Sequence, residues 1–383
     1  MKFEIDRLAM LDAAKNAAKV APSRELIDVL NGILVEGSND TSEVFMTATN
    51  HEVSIQQKVI ASVDESGSML VNARLLVGML SLLPGEFVTF SAIRPNVLTV
   101  MSGKCVYEIN CLPAKHYPKP VMPFPEETVN LSGICSLAKR TVFAVSKDDS
   151  KPALQCVSIK LHLNTVHAAA CDGIKMMLIK DTAGPFDERE FLLPGRSLQM
   201  LSSISSDEDV FEVSDVGNEA VFIRRDMMFT MRKLPGEYID TTAILKGVVP
   251  VYNAVTDSRQ MKEALDLIIV GAESKESVNL ILSSGEIIMR RNGDYSEAQT
   301  MIPANVTKVT PDEGFYYNPG ILAKLFQVLD GKVKLEIDAK GFMLVKTRSE
   351  VYLQLPMRIP VKKAEPAKKK YSVKSTNNVK EAA

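Results

Sequence analysis

The amino-acid sequence predicts an α+β protein built from three tandem copies of one domain, each with two helices packed on antiparallel sheets. Three observations carry this. A strand–helix–strand phrase occurs three times, about 123 residues apart in a chain of 383: residues 70–80 leading to 87–90, 193–201 leading to 210–213, and 317–325 leading to 333–336. A second phrase keeps the same frame at 30–33, 154–157 and 278–281. Apolar positions also switch between a helical period and a period of two, as helices lying on half-solvated sheets require. Units of this size are whole domains, well above the roughly 20 to 50 residues of a solenoid repeat.

The elements follow in order. The first helix of each copy is expected around 7–20, 134–146 and 257–272. The second helix follows Asn72, Pro194 and Pro319, ordinary residues for a helix start. Leu76, Met79, Leu80 and Leu83, and again Leu322, Leu325, Phe326 and Leu329, run i, i+3, i+4, i+7, so each helix has a single apolar stripe to lay on a sheet. Residues 157–163 and 333–337 alternate apolar and polar as strands. Proline-rich 118–125 and residues 247–250 mark the joins. The expected domains are 1–122, 123–247 and 248–361, with a Lys-rich, disordered tail over 362–383.

Composition excludes several function classes. No run of eighteen apolar residues and no charged-then-apolar leader occurs, so no membrane span is expected and the cytoplasm is the expected compartment. Cys105, Cys111, Cys135, Cys156 and Cys171 are odd in number and lack C-x-x-C spacing, as expected of reduced, mostly buried thiols. Cys156, His162, His167 and Cys171 fall on different faces of strands, and no metal site or cofactor is expected. Neither a P-loop nor a G-x-S-x-G nor a repeated His or Asp pair offers catalytic chemistry. The net charge of −2 is segregated: seven Lys against two Glu lie in the tail, and the helices are basic while strands and loops are acidic. Basic residues near the same place in each copy, Arg74, Arg196 and Lys324, suggest one surface facing a polyanion.

Met1-Lys2-Phe3, residues 30–34, Ser102-Gly103 continuing to Leu112-Pro113-Ala114, residues 170–173, Leu193-Pro194 and the closing Leu355-Pro356-Met357-Arg358-Ile359 together resemble the bacterial sliding clamp family, the beta subunit of the replicative DNA polymerase III holoenzyme. The resemblance runs through residues 1–360. It implies a non-catalytic processivity factor: a homodimer of six similar domains closing head to tail, with helices lining the hole and sheets forming the wall. The DNA-facing residues it implies are Lys15, Lys19, Arg24, Arg74, Lys139, Arg140, Lys151, Arg196, Lys262 and Lys324. Tyr107, Ile109, Gly271 and Ala272 fall at the implied dimer contact. The implied partners are duplex DNA, the polymerase alpha subunit, the clamp loader delta subunit and other proteins with clamp-binding motifs. Their pocket, carried over by position, is Leu154, Cys171, Gly173, Ile174, Lys175, Met176, Ile239, Ile244, Leu353, Leu355, Pro356, Met357 and Arg358. The family's D-G-H-R and P-D-Y stand here as Asp172-Gly173-Ile174-Lys175 and Ile239-Asp240-Thr241. Such departures suggest, as the alternative, a divergent plasmid or phage paralogue with altered docking.

Overall fold

The computed structural model describes residues 1–22, 28–273, 276–293 and 296–358. Arg24, Ile359 and the 362–383 tail lie outside the described residues.

Seven helices are present among them: α1 (Arg7–Val20), α2 (Ala73–Leu82), α3 (Ile134–Thr141), α4 (Gly195–Ser203), α5 (Thr241–Lys246), α6 (Ser258–Ile268) and α7 (Pro319–Phe326). Local chemistry sets their starts. The Asn72 side chain accepts from the Leu75 amide and that of Asn318 from the Ile321 amide, each satisfying one orphan donor of a first turn. Asp6 and Asp257 cap α1 and α6 in the same way. Leu76, Met79, Leu80, Leu83, Leu322, Leu325, Phe326 and Leu329 are all buried, so both apolar stripes face the core. Within each sequence repeat the two helices pack against each other.

Three elements differ from expectation. The third helix stops at Thr141 and tightens into a 3-10 turn at Val142–Ala144, where the Thr141 hydroxyl donates to the Leu137 carbonyl. Helix α6 ends at Ile268 because Gly271 turns left-handed, φ +71, and a continuing helix cannot. Helix α5 was not expected: the Asp240 carboxylate takes the amides of Thr242 and Ala243 and nucleates six residues just before the join at 247–250.

The strands form three sheets. In the largest, Lys2–Asp6 lies between Phe87–Arg94 and Val53–Glu65, and the sheet then crosses from the first repeat to the second where Val53 pairs with Met231 and Gln57 with Met227. The next sheet joins the second and third repeats in the same way, with Lys175 opposite Gln354 and Ile179 opposite Glu350. The third holds Glu297–Pro303, Glu286–Asn292, Val278–Ser283 and Phe315–Tyr317. Cys105–Asn110 ends the first sheet and Glu297–Pro303 ends the third, so each has a strand on one side only among the described residues. Val157, Ile159 and Leu161 are buried as the alternation requires, but Leu163 is 65% exposed at φ +51, where the Cys156–Cys171 strand breaks register.

Candidate docking pocket and nucleic-acid interface

The seam between the second and third repeats carries a separate apolar cluster. Cys171, Met176, Val248, Leu344 and Leu353 are buried in it, and Leu154, Leu178, Ile239, Leu245, Phe342 and Val351 pack against it partly exposed. Five of the residues expected for the pocket, Leu154, Cys171, Met176, Ile239 and Leu353, therefore meet in one place. The reason is the ladder: pairing Met176 with Leu353 puts an apolar residue from each repeat side by side. Burial pushes the Cys171 thiol up, so this wall is neutral.

The rim is built from three short pieces. The hairpin tip is set by Asp172, whose carboxylate accepts the amides of Ile174 and Lys175 at 2.8 Å each, with Gly173 at φ +93 between them. That geometry leaves Ile174 55% exposed. Lys175 is spent internally: its ammonium pairs with Asp172 and the residue is buried. Ile244 stands exposed on α5. The third piece is the run after the last strand, where the Leu355 amide donates to the Ile174 carbonyl at 2.9 Å and the Met357 amide to that of Tyr316 at 2.7 Å. These bonds hold Leu355, Pro356 and Met357 half-buried across the seam, with Arg358 exposed. Sequence reasoning missed Leu178, Leu245, Val248, Phe342, Leu344 and Val351. Ile244-Leu245 and Val248-Val249, on either side of Lys246-Gly247, were the one available signal; the strand residues look like ordinary strand core in the sequence.

An open groove of about 750 Å³ continues from this cluster along the second repeat, sharing Leu178, Ile239 and Val351 with it and adding His162, His167, Lys160 and Lys180. Partial burial, then the charges of Lys180, His162 and Lys160, lower the His167 pKa.

The expected nucleic-acid residues divide by what they touch. Lys15, Arg74, Lys151, Arg196, Lys262 and Lys324 are exposed and form no ion pair with another described residue. Lys139 reaches Asp207 at 3.1 Å in an exposed pair, an arrangement worth about 0 to 1 kcal/mol that a phosphate can displace. Lys19 is exposed and donates to the carbonyl of Ser203, the last residue of α4, so it also ties the first repeat to the second. Arg140 departs from expectation: only 16% exposed, it pairs with Asp181 and with Glu350 at 2.9 Å, and is a strut between repeats rather than a free cation.

Of the expected dimer-contact residues, Tyr107 is exposed on the terminal strand while Ile109 points into the core, leaving only its main chain on that edge. Gly271 is exposed and Ala272 half-buried.

Comparison with known proteins agrees with the resemblance. Residues 1–123 match the family model described as "DNA polymerase III beta subunit, N-terminal domain", and residues 128–240 match "DNA polymerase III beta subunit, central domain". The beta sliding clamp of Bacillus subtilis is 24% identical over 382 residues, covering 94% of this chain and all of that one. That of Micrococcus luteus is 25% identical over 314 residues, covering 80% of this chain and all of its own sequence. Among solved structures, a DNA polymerase sliding clamp from Bacillus subtilis superposes with a TM-score of 0.84 at 23% identity, and a putative DNA polymerase III beta subunit from Eubacterium rectale with 0.85 at 18%, each over 94% of this chain and all of theirs. With the two models spanning most of the first two repeats, and the fold shared over 94% of the chain, the chain belongs to the bacterial beta sliding clamp family, the non-catalytic DNA polymerase III beta subunits.

Proposed function

We propose that this chain is a DNA sliding clamp in which each sequence repeat is one clamp domain and two copies close head to tail around duplex DNA. The observation that supports it best is the repeated main-chain seam. Val53 pairs with Met231 at the first internal seam and Lys175 with Gln354 at the second; one further step of the repeat puts the strand Glu297–Pro303 opposite Cys105–Asn110 of a second copy. Those two strands end their sheets, with Val106, Tyr107 and Met301 exposed along them. An unpaired edge is a template for another strand, and a head-to-tail contact whose rotation closes gives a ring.

The basic helix residues then face the DNA and hold it through phosphates, without reading bases, so the ring slides. The seam cluster docks linear motifs of the polymerase alpha subunit, the clamp loader delta subunit and other partners in the cytoplasm. Burying two large apolar side chains there contributes about 3 to 6 kcal/mol before ordering costs, against the roughly 8 that micromolar binding requires. The exposed Ile174 and the internal Asp172–Lys175 pair favour a more apolar docking preference than a free cation at that position would give.

The test is topological. Loaded on a nicked circular plasmid, the protein should co-elute with DNA and be released when the plasmid is cut once. Retention that is indifferent to linearisation would overturn the ring.

A further inference from the structure

Arg291 is a 1% exposed arginine in the third repeat. Its Nε donates to the Ile268 carbonyl at 2.8 Å and its Nη2 to the Val270 carbonyl at 3.0 Å. The same Nη2 reaches the Ser296 hydroxyl at 2.7 Å, and Nη1 pairs with Glu276 at 2.5 Å. The last carbonyls of a helix lack intrahelical partners and carry the negative end of its dipole, so a planar cationic fork suits them. Neighbouring residues leave room for it: a side chain at Gly293 would overlap both Glu276 and Arg291.

What this fork holds is the end of α6 and the turn after it, where Leu267 is 55% and Val270 68% exposed. Their counterparts in the first repeat show what such positions do. Asn16 and Lys19 stand at the same two spacings from the capping Asp6 as Leu267 and Val270 stand from Asp257. Asn16 reaches the second repeat through Gln57 and Asp226, at 3.1 and 2.9 Å, and Lys19 reaches it through Ser203. In the third repeat those positions are apolar and have no following repeat to meet. Beside them runs Glu297–Pro303, a sheet-ending strand whose preceding residue, Ser296, the same guanidinium binds.

We infer that Arg291 is the positioning residue of the contact with a second copy of this chain: it locks the turn after α6 to the start of the free edge strand, so that Leu267 and Val270 are presented preformed. The inference rests on the ring reading above. Val270 lies beyond the last helical residue, where an unanchored chain frays; ordering that turn in advance removes an entropic penalty from association.

The experiment compares the full chain with three variants by sedimentation equilibrium, thermal melting, amide exchange over 267–272 and affinity for a clamp-binding peptide. Arg291→Met with Glu276→Leu replaces the buried pair by apolar groups without stranding a charge. It is expected to keep the melting transition and the peptide affinity, to speed exchange at Val270 and Ala272, and to raise the dimer dissociation constant at least tenfold. Arg291→Lys keeps a charge for Glu276 but cannot span both carbonyls, and should lose part of the dimer affinity even if the double variant folds poorly. Val270→Lys should dissociate the dimer with exchange at the turn unchanged. A folded double or Lys variant that dimerises as tightly as the parent overturns this inference alone. A parent chain that stays monomeric at micromolar concentration while binding peptide overturns the ring reading and this inference with it.

Discussion

Arg140 of α3 and Glu350 of the last strand meet across the seam between the second and third repeats, Nη1 to Oε1 at 2.9 Å, with Asp181 completing the triad. The pair sits beside the ladder that joins those repeats, where Ile179 faces Glu350. At the seam between the first and second repeats the corresponding link is neutral on the helix side: Asn16 to Gln57, and Gln57 to Asp226. Each internal seam thus combines a main-chain ladder with a link from a helix side chain to the next repeat, direct from Arg140 and through Gln57 from Asn16.

Removing Arg140 leaves two carboxylates facing each other at a poorly solvated place. Arg140→Met is expected to destabilise the chain by about 2 to 4 kcal/mol, read as a lower urea midpoint. Retention on circular DNA at a temperature where the variant is folded should hardly change. A DNA defect as large as that of the helix-face variants below would restore Arg140 to the DNA interface.

Phosphate binding releases counterions, so affinity for DNA should fall with salt at a log–log slope of about 0.9 for each phosphate neutralised. Lys15→Glu with Arg196→Glu changes two exposed cations that pair with no described carboxylate. The loaded ring should leave DNA sooner, with a shallower salt slope and the same melting temperature. An unchanged slope would remove these helices from the DNA face.

Met357 is half-buried on the rim, its amide tied to Tyr316 at 2.7 Å. Met357→Lys puts an ammonium group where an apolar anchor must be desolvated, an effect of several kcal/mol against a total of about 8. Peptide affinity measured by fluorescence anisotropy should drop at least a hundredfold while the oligomeric state persists. Wild-type affinity in the variant would move docking to the adjoining groove of His162 and His167.

Burial alone would raise the Glu336 pKa, but hydrogen bonds from Lys334 and Lys346, at 2.5 and 2.6 Å, overcome it and hold the carboxyl below its ordinary range. A carboxyl depressed in the folded state stabilises above its unfolded pKa, near 4, and that stability is lost as pH falls through the folded value. Glu336→Gln should therefore be less stable than the parent at pH 7 and converge with it in acid. Parallel stability curves from pH 7 to 3 would count against the linkage.

The sequence by itself determined the threefold repeat, because the same phrases return at one long spacing, and the six long helices, the start at Asn72 and the stripes through Leu76 and Leu322, because each of these is written in residues three or four apart and acts over one turn. The family resemblance, carried over by position, also names five of the eleven residues of the seam cluster: Leu154, Cys171, Met176, Ile239 and Leu353. Tertiary structure alone decided which charges are free. Lys15 and Arg140 read alike in a string, but pairing depends on a carboxylate within about 4 Å, and those of Glu350 and Asp181 come from elements far along the chain. It also decided that Val248, Leu344 and Leu353 form one cluster, that Leu163 turns outward, and that Arg291 is buried. Burial is a property of what packs above a residue, and here that is supplied by a strand ladder or helix end that no local period encodes.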